Sequence, residues 1–221
     1  MDRLPFRQLG VAVLALSAAS TAAVALALAV GAARPAPDLT PVLGEPPCDA
    51  PCWRTIQPGQ TTLVDAVSLL DNDPTVDAVV INVRSASWWW NGAQSPVLSH
   101  KSRPFDGRIL FHTDSSDSPI AGMALMTTLT LGDLVLALGP PHTQTFYLPT
   151  TPAQAYVIYE AIYDELSVFA TLACPVSPVD FWSTPAGITF GEVDLALGGV
   201  RMTFPGVEGW PKRGIAEACA P

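Results

Sequence analysis

Charge is scarce in this chain, and positive charge above all: 14% of the 221 residues are charged, with 11 Lys plus Arg against 20 Asp plus Glu. Arg3, Arg7 and Asp2 lie at the extreme N-terminus, so beyond residue 33 nine basic side chains stand against nineteen acidic ones, a net of −10. That shortage argues against a nucleic-acid partner, because phosphate backbones are gripped by clustered cations that displace counterions. It also leaves no polybasic patch to hold anionic lipid. Catalytic signatures are missing as well. The sequence has no Gly-x-Ser-x-Gly, Ser-x-x-Lys, Gly-x-Gly-x-x-Gly or Walker loop, so it offers neither a local nucleophile frame nor a nucleotide cradle. His100, His112 and His142 stand apart, without the His-x3-His or Cys-x2-Cys spacing of a zinc site. No metal and no cofactor is expected.

One stretch lacks charge entirely. Leu9 to Ala33 runs for 25 residues between Arg7 and Arg34. At 1.5 Å per residue it is long enough to cross a hydrocarbon core of about 30 Å, whereas a cleaved signal carries an apolar stretch of about 7–15 residues. The expectation is a signal anchor, a single transmembrane helix over residues 9–33 with residues 1–8 in the cytoplasm and the remainder outside. Cleavage is the alternative, because Ala27-Leu28-Ala29 and Gly31-Ala32-Ala33 suit a signal peptidase, and the chain would then be secreted. Seven of the 22 prolines fall between Pro35 and Pro58. Proline fixes φ and removes a donor, so residues 34–52 read as a stiff Pro-rich spacer. Beyond the run lie four cysteines, Cys48, Cys52, Cys174 and Cys219. An even count outside the cytoplasm reads as two disulfides, and the preferred pairing is Cys48 with Cys52 and Cys174 with Cys219.

A nine-residue pattern occurs twice. Thr62-Leu63-Val64-Asp65-Ala66-Val67-Ser68-Leu69-Leu70 returns 68 residues later as Thr130-Leu131-Gly132-Asp133-Leu134-Val135-Leu136-Ala137-Leu138, identical at five of nine positions. In each copy a threonine precedes a carboxylate by three residues, which suits an N-cap with negative charge in the first turn. The apolar residues share one helical face, and Gly139-Pro140-Pro141 stops the second copy. After each helix the period falls to two. Strands are predicted over 76–83, 87–90, 107–112 and 119–127, then over 142–148, 153–161 and 163–172. A third echo, Thr189 to Gly198, is read as a hairpin turning on Gly198-Gly199, with a third helix as the alternative. The predicted class is α+β, an N-terminal transmembrane helix followed by tandem helix-plus-antiparallel-sheet repeats. The predicted domains are the anchor over 1–33, the spacer over 34–52, repeat 1 over 53–127, repeat 2 over 128–174 and a Pro-rich C-terminal extension over 175–221.

Cys48-Asp-Ala-Pro-Cys52-Trp53 followed by Pro58-Gly59-Gln60-Thr61-Thr62 resembles membrane-anchored bacterial extracytoplasmic proteins that carry a Cys-x3-Cys-Trp and Pro-Gly-x-Thr-Thr motif. The short helix, Leu129-Thr130-Leu131-Gly132-Asp133 and Leu138-Gly139-Pro140-Pro141 are similar to the helix-plus-sheet modules of the BamE (SmpA/OmlA) type. Tandem copies of such a module resemble the plan of β-lactamase inhibitor proteins. The resemblance covers about residues 48–172 and implies tandem modules. It carries over no activity and no contact residue.

Trp88-Trp89-Trp90 before Asn91-Gly92 is the most unusual local feature. On a strand, alternate side chains face opposite ways. One reading is an aromatic platform, Trp88, Trp89 and Trp90, for a protein or an envelope glycan. The other packs Trp88 and Trp90 on one face and Trp89 on the opposite one. Asp71-Asn72-Asp73-Pro74-Thr75-Val76-Asp77 begins like a calcium loop but has Val76 where glycine is required and Asn82 where glutamate is. Glu160, Asp164 and Glu165 invite comparison with a glycosidase pair, although carboxylates on neighbouring strands commonly have no catalytic role. The functional expectation is a membrane-anchored, extracytoplasmic, non-enzymatic binding or scaffold module that contacts protein or envelope glycan. Alternatives are an exported hydrolase with dispersed catalytic residues, in which His112 or His142 meets a serine and a carboxylate, and a purely structural spacer.

Overall fold

The computed structural model describes residues 15–22, 25, 37–43, 52–99, 104–112, 117–148, 156–164, 166–193, 200–205 and 219, in two compact units, Met1–Ala36 and Pro37–Pro221. In the first unit residues 15–22 and 25 are helical, and the Ser20 and Thr21 hydroxyls donate to the carbonyls of Leu16 and Ser17, each at 2.8 Å. Among the described residues no helix is long and apolar enough to cross a membrane, and the expected transmembrane helix is corrected accordingly.

The second unit is built on strands rich in β-branched and aromatic residues: β1 (Val76–Ile81), β2 (Ser85–Trp90), β3 (Gly107–Leu110), β4 (Gly122–Thr130), β5 (Thr143–Leu148), β6 (Tyr156–Ile162), β7 (Leu166–Ala173), β8 (Pro185–Gly191) and β9 (Val200–Pro205). They form one sheet in the order β1-β2-β3-β4-β8-β7-β6-β5-β9, and every neighbouring pair is antiparallel. This overturns the tandem helix-plus-sheet repeats. The strands after each helix do not close into separate sheets, because β4 pairs with β8, with Met123 opposite Phe190 and Leu125 opposite Ile188. Residues 175–221, expected as an extension, therefore supply a strand to the middle of the sheet. The expected hairpin on Gly198-Gly199 has its turn and most of its first arm in residues 194–199, outside the described residues. Thr189 to Gly191 belong to β8, and β9 pairs with β5, from Thr143 opposite Pro205 to Leu148 opposite Val200.

Among the described residues of this unit the helices are few and short: α1 (Thr40–Leu43), α2 (Leu63–Asp71), α3 (Leu131–Leu138) and α4 (Pro178–Ser183). Both repeated threonines cap as their spacing predicts. Thr62 Oγ1 accepts from Asp65 N at 3.2 Å and Thr130 Oγ1 from Asp133 N at 3.1 Å. At Thr130 the Asp133 carboxylate also accepts from the Thr130 backbone N–H at 3.0 Å, closing a capping box exactly where β4 ends. Residues 37–43, read as part of a spacer, instead hold α1, whose Val42 is fully buried against the core.

One row across the sheet, Trp88, Gly107, Leu125, Ile188, Val168 and Ala161, follows directly from the strand registers, and all six are buried. Opposite residues share a face, so this row and its neighbours form the core against which α2 and α3 lay Ala66, Leu70, Leu131 and Leu134. Full burial of one such large apolar side chain contributes about 1.5–3 kcal/mol. Cys174, just after β7, is disulfide-bonded to Cys219 with a Cα–Cα distance of 5.6 Å, a closure of 45 residues worth about 4 kcal/mol in the chain-entropy model. Cys52 is disulfide-bonded too; its expected partner Cys48 lies outside the described residues.

Gly107 marks the tightest place in the row. A Cβ there would collide with Cζ2 and Cε2 of Trp88, an indole that is fully buried. Gly107→Ala should lower stability by about 1–3 kcal/mol, the usual cost of overpacking a filled core, read as a lower urea midpoint with an unchanged slope.

Candidate functional site

The candidate site forms around a two-residue turn. Trp53 N donates to Ile56 O at 3.0 Å and Ile56 N to Trp53 O at 2.8 Å, so Arg54 and Thr55 occupy the corners, with φ of 48° and 68°. Left-handed backbone costs a non-glycine residue about 1–2 kcal/mol, and here the flanking residues hold it in place. Trp53 and Ile56 are buried to within 1%, and Gln57 N donates to Thr61 Oγ1 at 2.8 Å. Such retained strain is characteristic of functional segments.

Three indoles back the turn. Trp53 stacks on Trp88 at 5.7 Å between ring centroids and meets Trp90 edge-on at 5.8 Å, and Trp88 meets Trp90 edge-on at 5.9 Å. Trp53 Nε1 donates to Pro41 O at 3.0 Å, which fastens α1 to the cluster. Asp106, itself fully buried, fixes the end of β2 by accepting from Trp90 N at 3.0 Å through Oδ2 and donating its own N–H to Trp88 O at 3.1 Å.

Arg54 lies over two of these rings, its Cζ 4.9 Å from the Trp53 centroid and 5.5 Å from that of Trp90. The guanidinium pairs with Asp73 and reaches Thr75 Oγ1 at 3.4 Å. Asp73 also accepts from Thr75 N at 2.8 Å and Thr75 Oγ1 at 2.6 Å. Partial burial pulls the Arg54 pKa below the ordinary arginine value, and the group stays charged at neutral pH. A cleft of about 420 Å³ opens beside this ion pair, lined by Trp53, Arg54, Ile56, Leu69, Leu70, Asp73, Pro74 and Thr75. Its walls are apolar except at Arg54, Asp73 and Thr75, and Leu69 is 44% exposed at its mouth.

The residues singled out in the sequence are distributed differently. Trp88 and Trp90 are buried, at 0% and 1% exposure, so they are core and cannot serve as an open platform; Trp89 points to the opposite face and is half-buried. Asp73, considered for calcium, is occupied by Arg54 and Thr75. His112 lies 3.5 Å from Glu192 and His142 3.2 Å from Asp164, both pairs well exposed and neither in the cleft. Glu160 is buried and accepts from Tyr147 Oη at 2.5 Å, while Asp164 faces His142, so these two carboxylates serve separate partners. His100, Cys48 and Glu165 lie outside the described residues. Arg54 and Leu69 were not singled out in the sequence, and Trp53 only as part of the motif after Cys52. The available signal was Trp53-Arg54 directly after Cys52, because an arginine beside a tryptophan invites a cation–π contact.

Neither a family model, nor a curated protein, nor a solved structure matches the chain.

Two substitutions at the turn should act in opposite directions in the same denaturation experiment. Arg54→Ala removes the cation over two indoles and leaves Asp73 without its counter-ion, and should cost about 1–3 kcal/mol. Thr55→Gly relieves a β-branched residue at φ 68° and should add about 0.5–1 kcal/mol after the flexibility of glycine is counted.

Proposed function

We propose that the chain is an exported, membrane-associated, non-enzymatic module that binds a protein partner, with the cleft beside Arg54 receiving an apolar side chain of that partner. The observation that carries this reading is the cleft itself: about 420 Å³ of mostly apolar lining beside a fixed ion pair. A desolvated apolar pocket with a few placed polar groups is how interfaces anchor a hot-spot side chain. The Arg54–Asp73 pair at the rim supplies directional donors and acceptors, and the strained turn presents them without rearrangement.

A protein partner is favoured over a glycan by the state of the indoles. Sugars stack on open aromatic faces, whereas Trp53, Trp88 and Trp90 cover one another and carry Arg54. Placement outside the cytoplasm is supported by the Cys174–Cys219 disulfide, because such bonds persist in oxidising compartments. Membrane association through residues 9–33 is supported by the uncharged run and its flanking arginines.

A photo-crosslinking residue at Pro74, on the cleft wall, tests the reading in the full chain in native membranes. A discrete protein adduct is expected, at least fivefold weaker when Leu69→Trp fills the cleft. An adduct indifferent to Leu69→Trp, or carbohydrate in place of protein, would contradict it.

A further inference from the structure

The sheet ends at β1, and among the described residues no strand pairs with its outer side. Proteins usually defend such an edge with lysine, proline, a bulge or a covering element. Here the register slips once, between Val76 and Ala78, so the bulge falls at Asp77 and the stretch from Ala78 to Ile81 stays regular. Val80, Ile81 and Val83 are 46%, 57% and 77% exposed. The edge is therefore apolar and open.

The hairpin fixes which backbone groups point outward. Asn82 N donates to Ser85 O at 2.7 Å, making Asn82 and Ser85 a hydrogen-bonded pair. Hydrogen-bonded and non-hydrogen-bonded pairs alternate along an antiparallel ladder. Val80 opposite Ser87 and Ala78 opposite Trp89 therefore face β2, while the N–H and C=O groups of Val79 and Ile81 face away from it. Two residues spaced by one are the minimum needed for a self-complementary antiparallel pairing.

We infer that β1 is a docking edge for a second copy of this chain, the two β1 strands pairing antiparallel with Val79 of each copy opposite Ile81 of the other. This register satisfies all four outward backbone groups of each copy and keeps the bulged Asp77 out of the ladder. It sets Val80 opposite Val80 on the face away from the helices. It also brings Asp77 of one copy beside Val83 and Arg84 of the other, twice by symmetry. Asp77 and Arg84 are both exposed, of opposite charge, and at opposite ends of the hairpin, which is the arrangement an isologous contact requires. The chain is acidic overall, but charges more than about 8 Å away are screened at physiological salt, so the two local ion pairs decide. A one-residue slip would set Val79 and Ile81 opposite residues whose own N–H and C=O groups already face β2, leaving the outward groups unpaired.

Val80→Cys in the full chain, oxidised mildly in isolated membranes and run without reductant, tests the contact. Opposed non-hydrogen-bonded residues stand about 4.5 Å apart at Cα, within reach of a disulfide. A dimer at least tenfold more abundant than with Val64→Cys, an exposed position on α2, is expected. Asp77→Arg should lower the yield fivefold or more, and adding Arg84→Asp should restore it to within twofold. Peptide mapping of the Cys174–Cys219 bridge in each variant checks that the fold is intact. A yield no higher than at Val64, an adduct of another mass, or a double exchange no better than the single one would each overturn the inference.

Discussion

The backbone ladder between β4 and β8 joins two runs of strands that are each sequential in the chain, β1 to β4 and β5 to β8. Without it either run would end in a bare edge. With it, Leu125 and Ile188 become neighbours in one continuous row, and Thr127 Oγ1 donates across the junction to Ala186 O at 2.6 Å. The cap of α3 follows from the same seam. Thr130 is at once the last residue of β4, the partner of Pro185 on β8 and the N-cap of α3, so the direction of α3 is set where the two runs meet. Leu131 N donates to Thr184 O at 3.0 Å beside it.

At the other end of the first run, the three indoles do for loops what the β4–β8 ladder does for strands. Segments far apart in sequence converge on the three indoles and the Arg54 that covers them: Pro41 accepts from Trp53, Asp73 pairs with Arg54 and Asp106 accepts from Trp90. Each contact alone contributes about 0.5–2 kcal/mol. Because they share atoms they act together, and this is what keeps the Arg54–Thr55 turn in a backbone conformation it would otherwise leave. The cleft exists because those segments are held there.

Local features were legible in the sequence where a residue pattern has one physical solution. Thr62 and Thr130 with a carboxylate three residues on could satisfy a helix N-terminus in one way, and both do. Alternation placed Trp88 and Trp90 on one face and Trp89 on the other as one of two readings. The platform reading failed because period two assigns faces but not which face is covered. Pairing was not legible at all. Gly122 to Thr130 reads as a strand whether its neighbour is β3 alone or β3 and β8, so the single sheet was mistaken for tandem modules. β9 illustrates the same limit, since the alternation of Val200, Met202 and Phe204 marks a strand without naming β5 as its neighbour. The cleft escaped notice because Arg54 and Asp73 are joined only after α2 turns the chain back, and no local spacing encodes that.

An acidic, weakly charged chain with a disulfide at its end and an apolar cleft beside a fixed ion pair is consistent with recognition by shape and a few directed contacts. All of this presumes that the strands cooperate as one unit across β4 and β8. Native-state hydrogen exchange in rising denaturant measures this directly, by comparing the amides of β2 with those of β6. In a single cooperative sheet both open only with global unfolding, at the same free energy and the same denaturant dependence. Loss of protection in β2 while β6 remains closed, or the reverse, would show two independent sheets and contradict it.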